Sequence, residues 1–328
     1  MSTISSIGIV ALSSPTTGKS AQRVRKAIAS LERKGLRVCV GASVFQKQSY
    51  RSTNIQTRVK DLMELFSDDS VDCILSTNGG FNSNELLEYL DYEVIRKNPK
   101  WFVGYSDITA VNLALYAKAG LPSVNGPLLV DVVDDAAVFD RLFKQLNARK
   151  INFTMPKTLW EWDGKDKRKT PRLRSIPGKT ETVTGPVLAG NLSTFVLILG
   201  TPYMPNPTGN ILFLEYDVCE AEGLPSLQRM LWQLRQNGFF AKIKGLVLGT
   251  LPAKTKKEER KNWTLADILA EVTDGFDFPI VYDAPFGHIY PSWVLVNGMK
   301  CEVTASFSGE NVSVSSVNTF KKPLSWVR

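Results

Sequence analysis

Histidine is almost missing from this sequence: His288, in "DAPFGHIYPSW", is the only one in 328 residues. One imidazole cannot complete a histidine-rich zinc site, and any chemistry that needs a histidine base near neutral pH has a single candidate. Cysteine is also scarce. Cys39, Cys73, Cys219 and Cys301 are scattered in or beside apolar runs with no Cys-x-x-Cys pair, so metal spacing is absent and reduced core thiols are the plain reading. No run approaches the roughly 18 to 20 apolar residues that cross a bilayer. The opening "MSTISSIGIVALSSP" lacks a basic n-region and a small-residue cleavage site, so "IGIVAL" reads as a first strand rather than a signal peptide. These absences point to a cytoplasmic protein with no membrane partner and no metal.

What is present is ordinary for a globular chain: 43% apolar and 22% charged residues, in a length that suits two domains. The formal charge of +8 comes largely from "GKDKRKTPRLR" (164–174) and "KTKKEERK" (254–261). A solvated loop suits each run, and no nucleic-acid-binding signature accompanies them.

Over residues 1–150, short apolar runs alternate with helical periodicity. "IGIVALS", "LRVCVG", "VDCILST" and "KWFVGY" read as strands. Between them lie a helix entered near Ser13-Ser14-Pro15, a second marked by Ile55, Val59, Leu62 and Phe66, and a third over 82–98. Continuously apolar strands separated by single helices imply a parallel sheet covered on both faces, an α/β domain. Residues 151–184 break the rhythm and read as a linker or functional loop. From 185 to 328 the pattern predicts a smaller, strand-rich, mixed α/β domain whose tail alternates like antiparallel strands joined by a Ser-Gly turn.

Four features could carry chemistry. Ser106 in "FVGYSDITA" stands where a strand gives way to a helix, a place that suits either an exposed nucleophile or a helix N-cap. "STNGGFNSN" puts two glycines after a strand, fitting an anion-binding turn or a plain tight turn. Glu215 ends the apolar strand "ILFLE". His288 lies in a loop and suits a structural imidazole or a base. A serine needs such a base, and the base needs an orienting acid.

Taken together, "GGFNSNELLEYLDYEVIRKNPKWFVGYSDITAVNLALYAKAGLPSVNGP", "GNLSTF…GTPY", "ILFLE" and "FGHIYP" resemble, in order and nearly end to end, the LD-carboxypeptidase family of serine peptidases. The resemblance implies a Ser106–His288–Glu215 triad, an oxyanion hole from the Gly80 and Asp107 amides, an active site between the two domains, a homodimer and no cofactor. It also separates two branches: one acts on murein tetrapeptides in wall recycling, the other resembles the microcin C immunity peptidase, which acts on aminoacyl-nucleotide toxins. The "W-x-W" of Trp160 and Trp162, the "SYRSTN" stretch around Arg51, and the adjacent basic run lean to the second branch, with Asn82 as a further substrate contact. Tyr216 stands where that branch often carries an acid, and Ile289-Tyr290 where it can carry a second histidine. A serine hydrolase of peptide-like amide bonds is the resulting expectation; a non-catalytic ligand-binding protein on the same scaffold is the alternative.

Overall fold

The structure is a computed structural model that describes residues 4–131, 137–161, 167–178, 181–217, 223–251, 263–305 and 312–317. The chain begins β1 (Ser6–Val10), α1 (Gly18–Arg33), β2 (Arg37–Val40), α2 (Ile55–Ser67), β3 (Cys73–Ser76), α3 (Tyr92–Lys97), β4 (Trp101–Gly104), α4 (Thr109–Ala119) and β5 (Val124–Asn125). The strands form a parallel sheet in the order β5-β4-β3-β1-β2. Every residue of β1, β3 and β4 is buried, which is why these strands read as unbroken apolar runs rather than alternating ones. α1 seats Val24, Ala27 and Leu31 against the sheet, and α2 seats Leu62, Leu65 and Phe66.

Two helix boundaries differ from the sequence expectation. α1 starts at Gly18 because Thr17 closes a capping box with Ser20. Ser13 and Ser14 are thereby left in a loop, and the Ser14 N–H donates to the Gly79 carbonyl at 3.1 Å. The helix predicted over 82–98 is split into a 3-10 turn at Ser83–Leu86 and α3, because the Asp91 side chain accepts from the Glu93 and Val94 amides and starts a new helix.

The chain continues with α5 (Ala137–Ala148), β6 (Thr158–Glu161), β7 (Lys167–Lys169), β8 (Arg174–Ser175), β9 (Glu181–Asn191), α6 (Leu192–Leu197), β10 (Ile211–Glu215) and α7 (Gly223–Gln236). It ends with β11 (Gly245–Gly249), α8 (Leu265–Val272), β12 (Ile280–Ala284), β13 (Ile289–Tyr290), β14 (Leu295–Val296), β15 (Lys300–Ala305) and β16 (Val312–Ser316). A second sheet runs β16-β15-β9-β10-β11-β12-β8, parallel from β9 to β12 and antiparallel at its edges. β15 and β16 are the antiparallel pair that the tail's alternation predicts; their connecting Ser-Gly lies outside the described residues. The fold is thus a mixed α/β architecture with a parallel N-terminal sheet and a strand-rich C-terminal part.

The stretch 151–184, read as a linker or loop, contains β6, β7, β8 and the start of β9. Strands of two to four residues are too short to register as a period, and their partners lie far along the chain. β13 and β7 flank β6 in a small antiparallel sheet, with Trp160 opposite Tyr290 and Glu161 opposite Ile289. β14 joins the first sheet, where it pairs antiparallel with β5. Cys73 and Cys301 are free thiols buried in strands; burial pushes Cys301 up to about 12 and Cys73 higher still. Cys39 is free and partly exposed, and Cys219 lies outside the described residues. No helix among the described residues is long and apolar enough to cross a membrane.

One buried cation joins the core to the loops above it. Arg58, on α2, has no exposed surface; it donates to the Leu12 carbonyl at 2.9 Å and to Asn82 Oδ1 at 3.0 Å, and pairs with Glu85 at 2.5 Å. Its loss strands buried acceptors, a cost of about 3 kcal/mol. Arg58→Met is expected to lower the unfolding free energy by that amount in urea denaturation; a loss below about 1 kcal/mol would make the pairing no stronger than a surface ion pair.

Candidate active site

β4 ends at Gly104, and two residues later the chain turns into α4 through a short 3-10 turn, Ser106–Ile108. Ser106 takes φ = +60°, a left-handed conformation that a non-glycine residue adopts at a cost. The strain has a geometric consequence: Oγ is not spent on capping the helix but sits 3.0 Å from His288 Nε2. The cap reading of Ser106 is thereby replaced by a serine–imidazole contact at a strand-to-helix turn.

His288 comes from the loop between β12 and β13 and is 9% exposed. Its Nδ1–H donates to Glu215 Oε2 at 2.8 Å. Glu215 closes β10, is 2% exposed, and accepts through Oε1 from Asn191 Nδ2 at 3.0 Å. The approach of the two chain segments depends on Gly287, at φ = +104°, where a Cβ would fall 2.7 Å from the Glu215 Cβ. The three residues thus form one hydrogen-bonded chain, from groups 73 and 182 residues apart.

Beside Ser106 lies the double-glycine turn. A Cβ on Gly79 would meet Ser106 Oγ at 3.1 Å, so only glycine lets this turn approach the serine undisturbed. Gly80 has φ = +148°, and its N–H has no hydrogen-bond partner among the described residues. Asp107, the residue after Ser106, is buried and locks the turn: its Oδ2 accepts from Ser13 Oγ (2.6 Å), the Asn82 N–H (3.0 Å) and the Ser83 N–H (2.8 Å). Burial raises the Asp107 carboxyl, against the pull of those donors.

The remaining candidates are dispersed. Asn82 is buried, with Oδ1 turned to Arg58 rather than to solvent. Arg51 is half-buried and paired with Glu85 at 3.0 Å. Trp160, on β6, is 37% exposed, and Lys167 Nζ stands 4.8 Å from its ring centre. Trp162 lies outside the described residues, as does the whole basic run 254–261. Within the first run, Arg168 pairs with buried Glu161 at 3.0 Å and Arg174 with Asp283 at 2.5 Å, so these two cations are engaged in the fold.

Two acids near the imidazole went unread in the sequence. Asp217 Oδ2 lies 3.5 Å from His288 Nε2, and Asp131 adds its field from the turn after β5. Burial alone would lower the His288 pKa; the charge and hydrogen bond of Glu215, then Asp217 and Asp131, outweigh it and push the imidazole up to about 9. Asn191, also unread, supports Glu215 while its Oδ1 caps α6 through the Thr194 N–H. The signal for Asn191 and Asp217 was faint: an Asx residue opening a helix, and an acid two positions beyond a strand's end.

Comparison with known proteins bears on the chain as a whole. The LD-carboxypeptidase N-terminal domain model matches residues 7–126 and the LD-carboxypeptidase C-terminal domain model matches 184–303. A putative carboxypeptidase of Vibrio cholerae is 32% identical over 98% of this chain and 96% of its own. The microcin C7 self-immunity protein MccF of Escherichia coli is 30% identical (94% and 92%), as is a probable murein peptide carboxypeptidase of Bacillus subtilis (92% and 89%). Among solved structures, an MccF-like protein from Bacillus anthracis superimposes with TM-score 0.87 at 31% identity, covering 97% of this chain and 98% of the other. MccF in complex with glutamyl sulfamoyl guanosine does so with TM-score 0.82 at 26% identity, covering 98% of each. With both domain models matched in order and relatives aligned over nearly its full length, the chain belongs to the LD-carboxypeptidase family and is a peptidase.

Proposed function

We propose that Ser106 is the nucleophile, His288 the general base and acid, and Glu215 the group that orients the imidazole. The observation that carries this reading is the continuous Ser106–His288–Glu215 hydrogen-bond chain, with the serine on a strained strand-to-helix turn. Glu215 can only accept, so it fixes the proton on Nδ1 and leaves Nε2 to face the hydroxyl. Neutral Nε2 takes the Ser106 proton as Oγ attacks the carbonyl of a peptide-like amide. The Gly80 and Asp107 N–H groups receive the developing oxyanion, and the imidazolium returns the proton to the leaving nitrogen. Water then releases the acyl group by the same proton route.

For the substrate we propose an aminoacyl-nucleotide of the microcin C type, with hydrolysis serving detoxification. Relatedness to the self-immunity protein and the exposed Trp160 with Lys167 beside it support this reading, since an indole can stack on a nucleobase. A second reading, a murein tetrapeptide carboxypeptidase, is favoured by the relative from Bacillus subtilis at the same identity. The proposed assembly is a homodimer in the cytoplasm.

Three outcomes test these proposals. Ser106→Ala and His288→Ala are each expected to lower turnover by about 10⁴-fold or more with the fold retained; full activity of the His288 variant would sink the mechanism. Hydrolysis of an aminoacyl sulfamoyl adenosine and of a murein tetrapeptide by one preparation decides the substrate, with the first expected to be cleaved faster. The pH profile carries the third. Because the folded His288 pKa is raised, the imidazole is protonated below it, so kcat/KM should climb with pH up to a midpoint near 9 in the free enzyme. Glu215→Gln removes the largest charge holding that proton and should move the residual activity's midpoint downward; an unmoved midpoint would count against the assignment.

A further inference from the structure

His288 Nε2 faces two acceptors. Ser106 Oγ is 3.0 Å away and Asp217 Oδ2 3.5 Å away, so a proton on Nε2 is shared between the proposed nucleophile and a carboxylate. Asp217 follows the end of β10 by two residues, and its side chain is 11% exposed. Around the imidazole stand Glu215 at the end of β10, Asp217 just beyond it, and Asp131 from the turn after β5. Its other close neighbours, the Tyr105 ring at 4.8 Å and Ser106, are neutral, and Arg23 offsets part of the Asp131 charge. Among the described residues, three carboxylates act on the one imidazole, so the charge turned toward it is negative. Yet the chain as a whole carries +8. Among the described residues no three acids or imidazoles are grouped so that they could hold a metal ion.

A site of this sign, beside the atom that attacks, complements a small cation on the acyl side of the scissile bond. An amine on the carbon next to the attacked carbonyl is two bonds from the reacting carbon. A substrate carbonyl at Ser106 Oγ therefore brings such an ammonium within reach of a carboxylate that contacts the same imidazole nitrogen. We propose that Asp217 is a specificity residue that pairs with an ammonium group on the acyl portion of the substrate and, until that group arrives, holds the proton on His288 Nε2. This rests on the reading of Ser106 as nucleophile and His288 as base. In the empty site the imidazolium is shared by Glu215 and Asp217, and the base is off. Substrate binding exchanges one cationic partner of Asp217 for another, the pull on the Nε2 proton weakens, and the imidazole becomes free to accept the serine proton. The cation that identifies the substrate is the one that releases the base.

The solitary histidine makes the test direct, because a tag-free preparation has one imidazole Cε1–H resonance to follow by NMR. Asp217→Asn and Asp217→Ser are both made, so that one folded variant suffices, together with Asp217→Glu. In the wild type the histidine should titrate high; in the Asn or Ser variant its midpoint should fall by about one pH unit, and in the Glu variant it should stay high. Kinetics supply the second readout, using aspartyl sulfamoyl adenosine and its N-acetyl derivative. The wild type should prefer the free amine by roughly 10- to 100-fold in kcat/KM, as a charge-assisted contact allows. In Asp217→Asn the preference should shrink to within about threefold, and Asp217→Glu should restore it. An unmoved midpoint, or an undiminished preference in the Asn variant, would overturn the proposal. Labelling of Ser106 by an uncharged fluorophosphonate separates the two levels of argument. A wild type that is not labelled overturns the nucleophile reading and this proposal with it, whereas a labelled enzyme indifferent to N-acetylation overturns this proposal alone.

Discussion

The contact between Glu215 and His288 constrains more of this molecule than any other. A carboxylate that is almost fully buried must find donors, and it finds two: the imidazole Nδ1–H at 2.8 Å and the Asn191 amide at 3.0 Å. Meeting that demand sets where β9 and β10 end and requires a glycine at 287, since any Cβ there would strike Glu215. It also calls for a clamp on the far side of the histidine, which β13 provides by pairing with β6. The parallel order of β9 to β12 brings the carboxyl ends of these strands to one edge, the place where open α/β sheets present their ligand-facing loops. Ser106 reaches the same point from the other sheet, carried by the turn after β4.

That convergence is held across the halves of the chain by polar contacts as well as by packing. The Asn191 N–H donates to Thr109 Oγ1 at 2.9 Å, fixing β9 against the first turn of α4. Asn297 donates to Ser123 Oγ and accepts from the Ala189 N–H, joining the residue that leads into β5 to β9. Such bonds are individually worth about 1 kcal/mol, but they are directional, and direction is what a hydrogen-bonded serine–imidazole–carboxylate chain needs. Hydrophobic burial supplies the bulk of the stability without specifying angles.

Much of the fold was legible because burial on both faces leaves a plain mark. β1, β3 and β4 are apolar throughout, and the helices between them repeat at helical spacing. The misreadings share a cause. The entry of α1, the break at Asp91 and the strands within 151–184 are each decided by a few side-chain or cross-strand bonds rather than by periodicity. The four chemically interesting features could be named in the sequence, yet Ser106, the double-glycine turn, Glu215 and His288 each had a bland local reading that only their resemblance as a set outweighed. Asp217 and Asn191 were not legible at all, because an acid after a strand and an asparagine before a helix are commonplace.

By itself the sequence determined the alternation of strand and helix, the two-part organisation, and the fact that a histidine base, if there is one, must be His288. These follow from composition and local period, which need no partner to be read. Only the tertiary structure decided that Ser106 Oγ lies 3.0 Å from that imidazole, that Glu215 meets its other nitrogen, and that Asp217 stands 3.5 Å from Nε2. Those distances join residues up to 182 positions apart. No local propensity encodes them: they result from the turn after β4 and the start of α4 packing against β9, and from the requirement that each buried charge find its partner there.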